Sequence, residues 1–186
     1  MVYSSFFFRD YLIGSSSPNV RKPMYFGSEA KESKIDLVDR AILSCLGINA
    51  RVSLTEIAKK IGKTADLVAK RIKIMEQAQI IHNYVLLPNS TLLNQESYKV
   101  LFSLHSVPQK REKAILEFFH AEQHIWFYSK SLGKWDLEIN MDVDNADQFR
   151  KIMMELKENY SDIIKEYITL QVSKVHKFNF YPGVET

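Results

Sequence analysis

Residues 53–64 constrain this chain more than any other stretch. Ser53-Leu54-Thr55-Glu56 is a capping box, in which the Ser53 hydroxyl satisfies an orphan amide of the helix it opens while the Glu56 carboxylate reaches back. Leu54, Ile57, Ala58 and Ile61 form the apolar face of that helix, and Gly62 supplies its stop. Only Gly62-Lys63-Thr64 leads into the next helix, where Thr64 is the N-cap and Val68, Ile72 and Met75 repeat at i, i+4 and i+7. Such a pair needs a third helix to close its core. Leu37, Val38, Ala41, Ile42, Cys45 and Leu46 predict one, sharing a face just upstream. Downstream, Ile80-Ile81-His82-Asn83-Tyr84-Val85-Leu86-Leu87 has the apolar, β-branched character of a strand, ended by Pro88.

The remainder changes period. Tyr98, Val100, Phe102 and Leu104 alternate, and Pro108 opens a helix carrying Ile115, Phe118 and Phe119. Residues 125–132 are an aromatic-rich strand. Leu137, Ile139, Met141 and Val143 interleave with Glu138, Asn140 and Asp142, which predicts a strand with one wet face. A helix with Ala146, Phe149, Ile152, Met153, Leu156 and Tyr160 follows, then Ile168, Leu170 and Val172 in alternation. The order β-α-β-β-α-β predicts a ferredoxin-like layer of two helices on a four-stranded antiparallel sheet. The fold class is therefore α+β, a winged helix-turn-helix over 34–88 followed by a ferredoxin-like domain over 89–186. Residues 1–33 form an extension in which Ser15-Ser16-Ser17-Pro18-Asn19, Pro23 and Gly27-Ser28-Glu29 carry linker chemistry.

Charge follows the same division. Over the whole chain the net charge is only +3, which excludes a polycation. Residues 34–88, however, carry nine basic and five acidic side chains, while 89–186 carry twelve basic and fourteen acidic. The single cysteine, Cys45, excludes an intramolecular disulfide framework and a multi-cysteine zinc site. Phe6 to Phe8, cut by Arg9 and Asp10, is too short for a signal or membrane segment. We expect a soluble, cytoplasmic chain with no membrane partner, no cofactor, no metal site and no catalytic residues.

A three- or four-residue turn sets the second helix of such a pair where it can enter a major groove of duplex DNA. The helix beginning at Thr64 offers Ala65, Asp66, Ala69, Lys70 and Lys73 outward, with Arg71 at the flank. Lys59, Lys60 and Lys63 lie where phosphates would pass and would add affinity through counterion release. Asp66 opposes this trend, since a carboxylate repels phosphate; in a groove its favourable partner is cytosine N4.

These residues resemble the leucine-responsive regulator (Lrp/AsnC) family over 34–181. The opening helix Ile35-Asp36-Leu37-Val38-Asp39-Arg40-Ala41-Ile42-Leu43, the stretches Asn49-Ala50-Arg51-Val52-Ser53 and Ile57-Ala58-Lys59-Lys60-Ile61-Gly62, then Arg71-Ile72-Lys73, Glu76 and Ile80-Ile81 carry the resemblance. It implies a DNA-binding transcriptional regulator whose ferredoxin-like, or RAM, domain pairs through its sheet into a homodimer or higher oligomer. It also implies an effector loop at Ser131-Leu132-Gly133-Lys134-Trp135-Asp136, similar to the family's G-x-x-D loop, that receives an amino acid or similar small molecule. Gly133 would let backbone amides approach a carboxylate, Asp136 would meet an ammonium group and Trp135 would wall an apolar side chain. Alternatively, Gly133 makes the hairpin turn and Asp136 caps it.

Two departures stand out. Gln79 occupies the place of the usual glycine after the recognition helix, so the helix is expected to run on, and the family's short glycine connector is missing around 89–97. The aromatic stretch 4–12 resembles Phe178-Asn179-Phe180-Tyr181 and suits the second unit of a tandem protein or a descendant of one, a reading that requires 4–12 to pair with a sheet; the alternative is an ordinary N-terminal extension. His120 and His124 read as solvated loop histidines, Cys45 as inert packing, and Met153-Met154 as belonging to the core stripe or lying beside it. Two rival functions remain: an assembly module with a DNA-silent helix-turn-helix, and a tetrapyrrole enzyme like the sirohaem decarboxylases, which resemble the same architecture. The latter typically show an Arg-Arg pair in the wing, where this chain has Ile81-His82-Asn83-Tyr84.

Overall fold

Each helix of the first folding unit begins on a side chain that accepts from its own first turn. The structure, a computed structural model, describes residues 3–6, 24–26, 34–106 and 108–181. In α1 (Leu37–Ile48) Asp36 accepts from the Asp39 amide at 2.8 Å, and Asp39 returns the bond to the Asp36 amide. In α2 (Leu54–Ile61) Ser53 and Glu56 form the expected reciprocal pair, and in α3 (Ala65–Gln77) Thr64 accepts from the Leu67 amide. Between α2 and α3, Gly62 takes φ 65°. A side chain there would have room, so it is the left-handed backbone and not crowding that calls for glycine.

Ile42, Leu43, Cys45, Ile57, Ala58, Val68 and Met75 are the buried core of this unit. The face expected for α1 is corrected at one position: Leu37 is 83% exposed and Leu43 is buried. Asp39, Ile42 and Leu43 follow i, i+3, i+4, and Leu37 lies off that stripe. Nor does α3 run on. Gln79 itself adopts φ 56°, at a cost of about 1 kcal/mol, while Ile80 donates back to the Met75 carbonyl at 2.8 Å. The expected wing strand over 80–87 does not form. Ile80 and Ile81 pack on the helical core, and residues 82–87 belong to no strand.

The second unit is a six-stranded antiparallel sheet in the order β2-β1-β4-β5-β3-β6. β3 (Glu96–Leu104), β4 (Ile125–Lys130), β5 (Leu137–Val143) and β6 (Ile164–Val172) are the ferredoxin-like four, with α4 (Gln109–Ala121) and α5 (Ala146–Tyr160) over one face. β1 (Tyr3–Phe6) pairs with β4, Tyr3 opposite Lys130 and Phe6 opposite Phe127, and β2 (Met24–Phe26) pairs with β1. The pairing required of residues 4–12 is thus present for 4–6. Residues 7–12, the serine-rich linker at 15–19, Pro23 and the turn at 27–29 lie outside the described residues. Val100, Phe102, Ile115, Phe119, Ile125, Leu137, Ile139, Met141 and Leu156 have no exposed surface at the heart of this core. Chain segmentation also departs from the charge boundaries: 175–181 fold with the helices, not with the sheet.

Three local expectations are corrected. Asp142, placed on the wet face, is 1% exposed, because Ser97 donates to it at 2.7 Å and Ser90, in a 3-10 turn over Ser90–Leu93, bonds Ser97 in turn. The histidines are not solvated: His124 is buried against Glu122 and Gln148, and His120 meets the Tyr128 hydroxyl at 2.8 Å. In β6 the alternation faces the other way from a core strand. Ile168 and Leu170 stand opposite Leu101 and Lys99, on the face away from the helices, and remain 42% and 47% exposed.

The capping boxes make the helical unit acid-sensitive. The Asp39 amide, followed by Arg71, holds Asp36 below the ordinary 3.8, and the Ser53 amide and hydroxyl hold Glu56 below 4.5. Depressed carboxyls stabilise fully above their unfolded values and lose that contribution as pH falls through the folded ones. Denaturation midpoints of the helical unit should therefore be level above about pH 5 and fall progressively below about pH 4, as circular dichroism with denaturant would measure.

Candidate nucleic-acid interface

Along α3, Asp66, Lys70, Lys73, Ile74 and Gln77 repeat at i, i+4, i+7, i+8 and i+11 and form one exposed face, opposite the buried Val68 and Met75. Lys59 and Lys60 in the last turn of α2 and Lys63 in the connection are also exposed. Thr64 is exposed at the N-cap, its hydroxyl engaged by Leu67. This places five lysines on α2, the turn and the exposed face of α3.

Two residues expected at this surface, Ala65 and Arg71, are turned elsewhere. Ala65 packs against the helical core, and Ala69 is half-buried. Arg71 reaches across to the start of α1, 2.9 Å from Asp36 and 3.4 Å from Asp39. Asp39 is 6% exposed, so its carboxylate needs that cation or an equivalent. A guanidinium serves two carboxylates at once, where an ammonium would act as a point charge. Ile74 joins the lysine face of α3 as an exposed apolar residue, and its departure from the Val68–Ile72–Met75 stripe is the sequence signal for it. Just beyond the helix, Tyr84 donates to Glu76 at 2.8 Å, and burial with that carboxylate pushes the phenol up to about 12.

In the sheet unit, the 131–136 loop closes on itself. Asp136 accepts the Leu104 amide at 2.8 Å and donates its own amide to Phe102, while the Ser131 hydroxyl bonds the Trp135 carbonyl. Gly133 has φ 151°, a conformation side chains disfavour. Leu132, Gly133 and Lys134 are exposed, and the Lys134 ammonium lies 5.0 Å from the Trp135 ring centre.

Residues 35–76 match the AsnC-type helix-turn-helix domain. The proline dehydrogenase transcriptional activator of Rhodobacter capsulatus is 32% identical over 126 residues, 65% of this chain and 79% of that protein. The chain belongs to the Lrp/AsnC family. Among solved structures, a transcriptional regulator of Neisseria meningitidis in complex with L-methionine superposes with a TM-score of 0.69 at 15% identity, covering 80% of this chain and 96% of that one. Escherichia coli AsnC gives 0.62 at 21% identity, covering 79% and 97%. Both likenesses carry the fold alone. Lrp/AsnC membership makes the chain a transcriptional regulator, with α1, α2 and α3 in its AsnC-type helix-turn-helix. No described helix is long and apolar enough to cross a membrane.

Within this Lrp/AsnC chain Arg71 is a brace between α3 and α1. Arg71→Met should destabilise the helical unit by about 1–3 kcal/mol by leaving the buried Asp39 carboxylate underpaired. Chemical denaturation curves of wild type and variant at neutral pH measure the difference.

Proposed function

We propose that this chain regulates transcription by reading duplex DNA with α3. The carrying observation is the exposed lysine set Lys59, Lys60, Lys63, Lys70 and Lys73, standing outward while the nearby Arg71 is drawn inward. Lys59, Lys60 and Lys63 take the phosphates on either side of the groove. Thr64, Asp66, Ala69, Lys70 and Lys73 meet bases and backbone within it. Asp66, at the first turn where approach to the bases is closest, accepts from cytosine N4.

A mobility-shift salt series tests this. With about five phosphates engaged, affinity should fall by roughly two to three orders of magnitude between about 50 and about 200 mM salt. Lys70→Ala or Lys63→Ala should each reduce the slope by about one where the lysine contacts phosphate. Asp66→Ala should instead relax base preference at one position and leave the slope nearly intact. No binding to any duplex at low salt would favour the assembly module. A Soret shift on adding an iron tetrapyrrole would favour the decarboxylase-like reading, against which the lone His82 in the wing position already weighs.

The effector and oligomer belong to the same proposal. The Neisseria regulator's L-methionine complex supports an amino-acid effector, and the likeness of residues 131–136 to the family's G-x-x-D loop is the reason for placing it there. Ser131, Leu132, Gly133, Lys134, Trp135 and Asp136 would line that site. Because Asp136 already accepts the Leu104 amide, it shapes the floor, and the exposed Gly133 and Lys134 present the face a carboxylate meets. Calorimetric titration of the amino acids, with Trp135→Ala expected to weaken any binder, tests this. The second copy covers the sheet face opposite the helices, where Ile168 and Leu170 stand exposed beside Leu101. Leu170→Lys should convert the oligomer to monomer in sedimentation experiments, with the melting of the sheet core little changed.

A further inference from the structure

After β6 the chain does not simply end on the sheet. Residues 173–177 are exposed, and then the pattern alternates: Asn179 and Tyr181 are partly buried, while Phe178 and Phe180 face outward. Tyr181 packs against the core of the helix-turn-helix. Its amide donates to the Asn179 side chain at 2.9 Å, so the two inward residues hold each other in place. The receiving position is Gly47, in the last turn of α1. A methyl group added at Gly47 would sit 2.8 Å from the Asn179 Oδ1 and 3.0 Å from the Tyr181 Cβ. Glycine inside a helix is unfavourable by itself. Here its absence of a side chain is what lets the returning segment approach.

We infer that the Gly47 end of α1 is a docking surface for the chain's own C-terminal segment, and that Asn179 and Tyr181 complete the helix-turn-helix as its last structural piece. The five residues 173–177, reaching about 17 Å when extended, form a leash from β6 to this dock. After the helix-turn-helix the chain therefore crosses between the two units twice, at Pro88-Asn89 and again through the leash. The stability of the helix-turn-helix becomes sensitive to whether the dock is filled.

Amide exchange on the full chain tests the dock without relying on DNA. Tyr181→Ala and Gly47→Ala should each speed exchange at the core amides of Ile42 and Val68 by about tenfold, equivalent to 1.4 kcal/mol, and leave Val100 and Ile139 in the sheet unchanged. The double variant should be no worse than the worse single one, since both remove the same contact. Phe180→Ala, on the outward face, is the control and should behave as wild type. The sign for Gly47→Ala is decisive: without a docked segment, alanine is the better helix former and exchange would slow. Slower exchange in Gly47→Ala, no change in Tyr181→Ala, or additive effects in the double variant would overturn the proposal. If DNA binding fails in wild type while these exchange effects hold, the DNA reading is lost and the dock stands. Where wild type does bind, affinity should fall in step with the exchange.

Discussion

The helical unit depends on a buried carboxylate. Asp39 lies inside the α1 interface, where an unpaired charge would be costly, and Arg71 of α3 answers it while also touching Asp36. Because Asp36 and Asp39 are also the reciprocal cap of α1, one guanidinium ties the start of the first helix to the middle of the third. The orientation of α3 on its support follows from that knot and from the left-handed turn at Gly62. So does the outward direction of Lys70, Lys73 and Asp66. Arg71 thus serves the interface by holding its geometry, and its charge is spent before any nucleic acid arrives.

The sheet unit is organised by a different economy. Its helix-covered face is closed by fully buried aliphatic and aromatic residues, with Tyr98 stacked on Phe149 at 4.0 Å between centroids. Its other face mixes apolar residues at β6 with a charged centre, where Lys99 meets Glu138 at 2.5 Å and Asn140 joins the same carboxylate. That mixture is ordinary for a surface that both tolerates water and accepts a partner. The pairing of β1 against β4 adds a feature outside the ferredoxin-like pattern: an edge that would otherwise offer free backbone groups is occupied by the chain's own beginning.

Much of this was legible in the residues. The capping box at 53–56, the N-cap at Thr64, the stop at Gly62 and the buried alternation of β3 and of Leu137, Ile139, Met141 and Val143 in β5 all match their readings, because each depends on partners within a few positions. The lysine surface was legible for the same reason: a 3.6-residue period fixes which positions share a face. Gln79 shows the limit. Its left-handed backbone was read as a penalty that would extend α3, but the amides of Ile80 and Ile81 bonding back to Met75 pay it locally.

What the sequence by itself determined, then, is where α2 and α3 are capped and turned and which residues alternate in β3 and β5, since those choices are settled by short-range hydrogen bonds and periodicity. Tertiary structure alone decided the partner of Arg71 32 residues away, the burial of Asp142 by Ser97, the outward set of Ile168 and Leu170, and the return of Tyr181 to Gly47. Each of these joins groups far apart along the chain. Such a pairing is selected by the free energy of the whole packed unit, in which burying one charge or ring is weighed against all the alternatives, and no local pattern records the outcome.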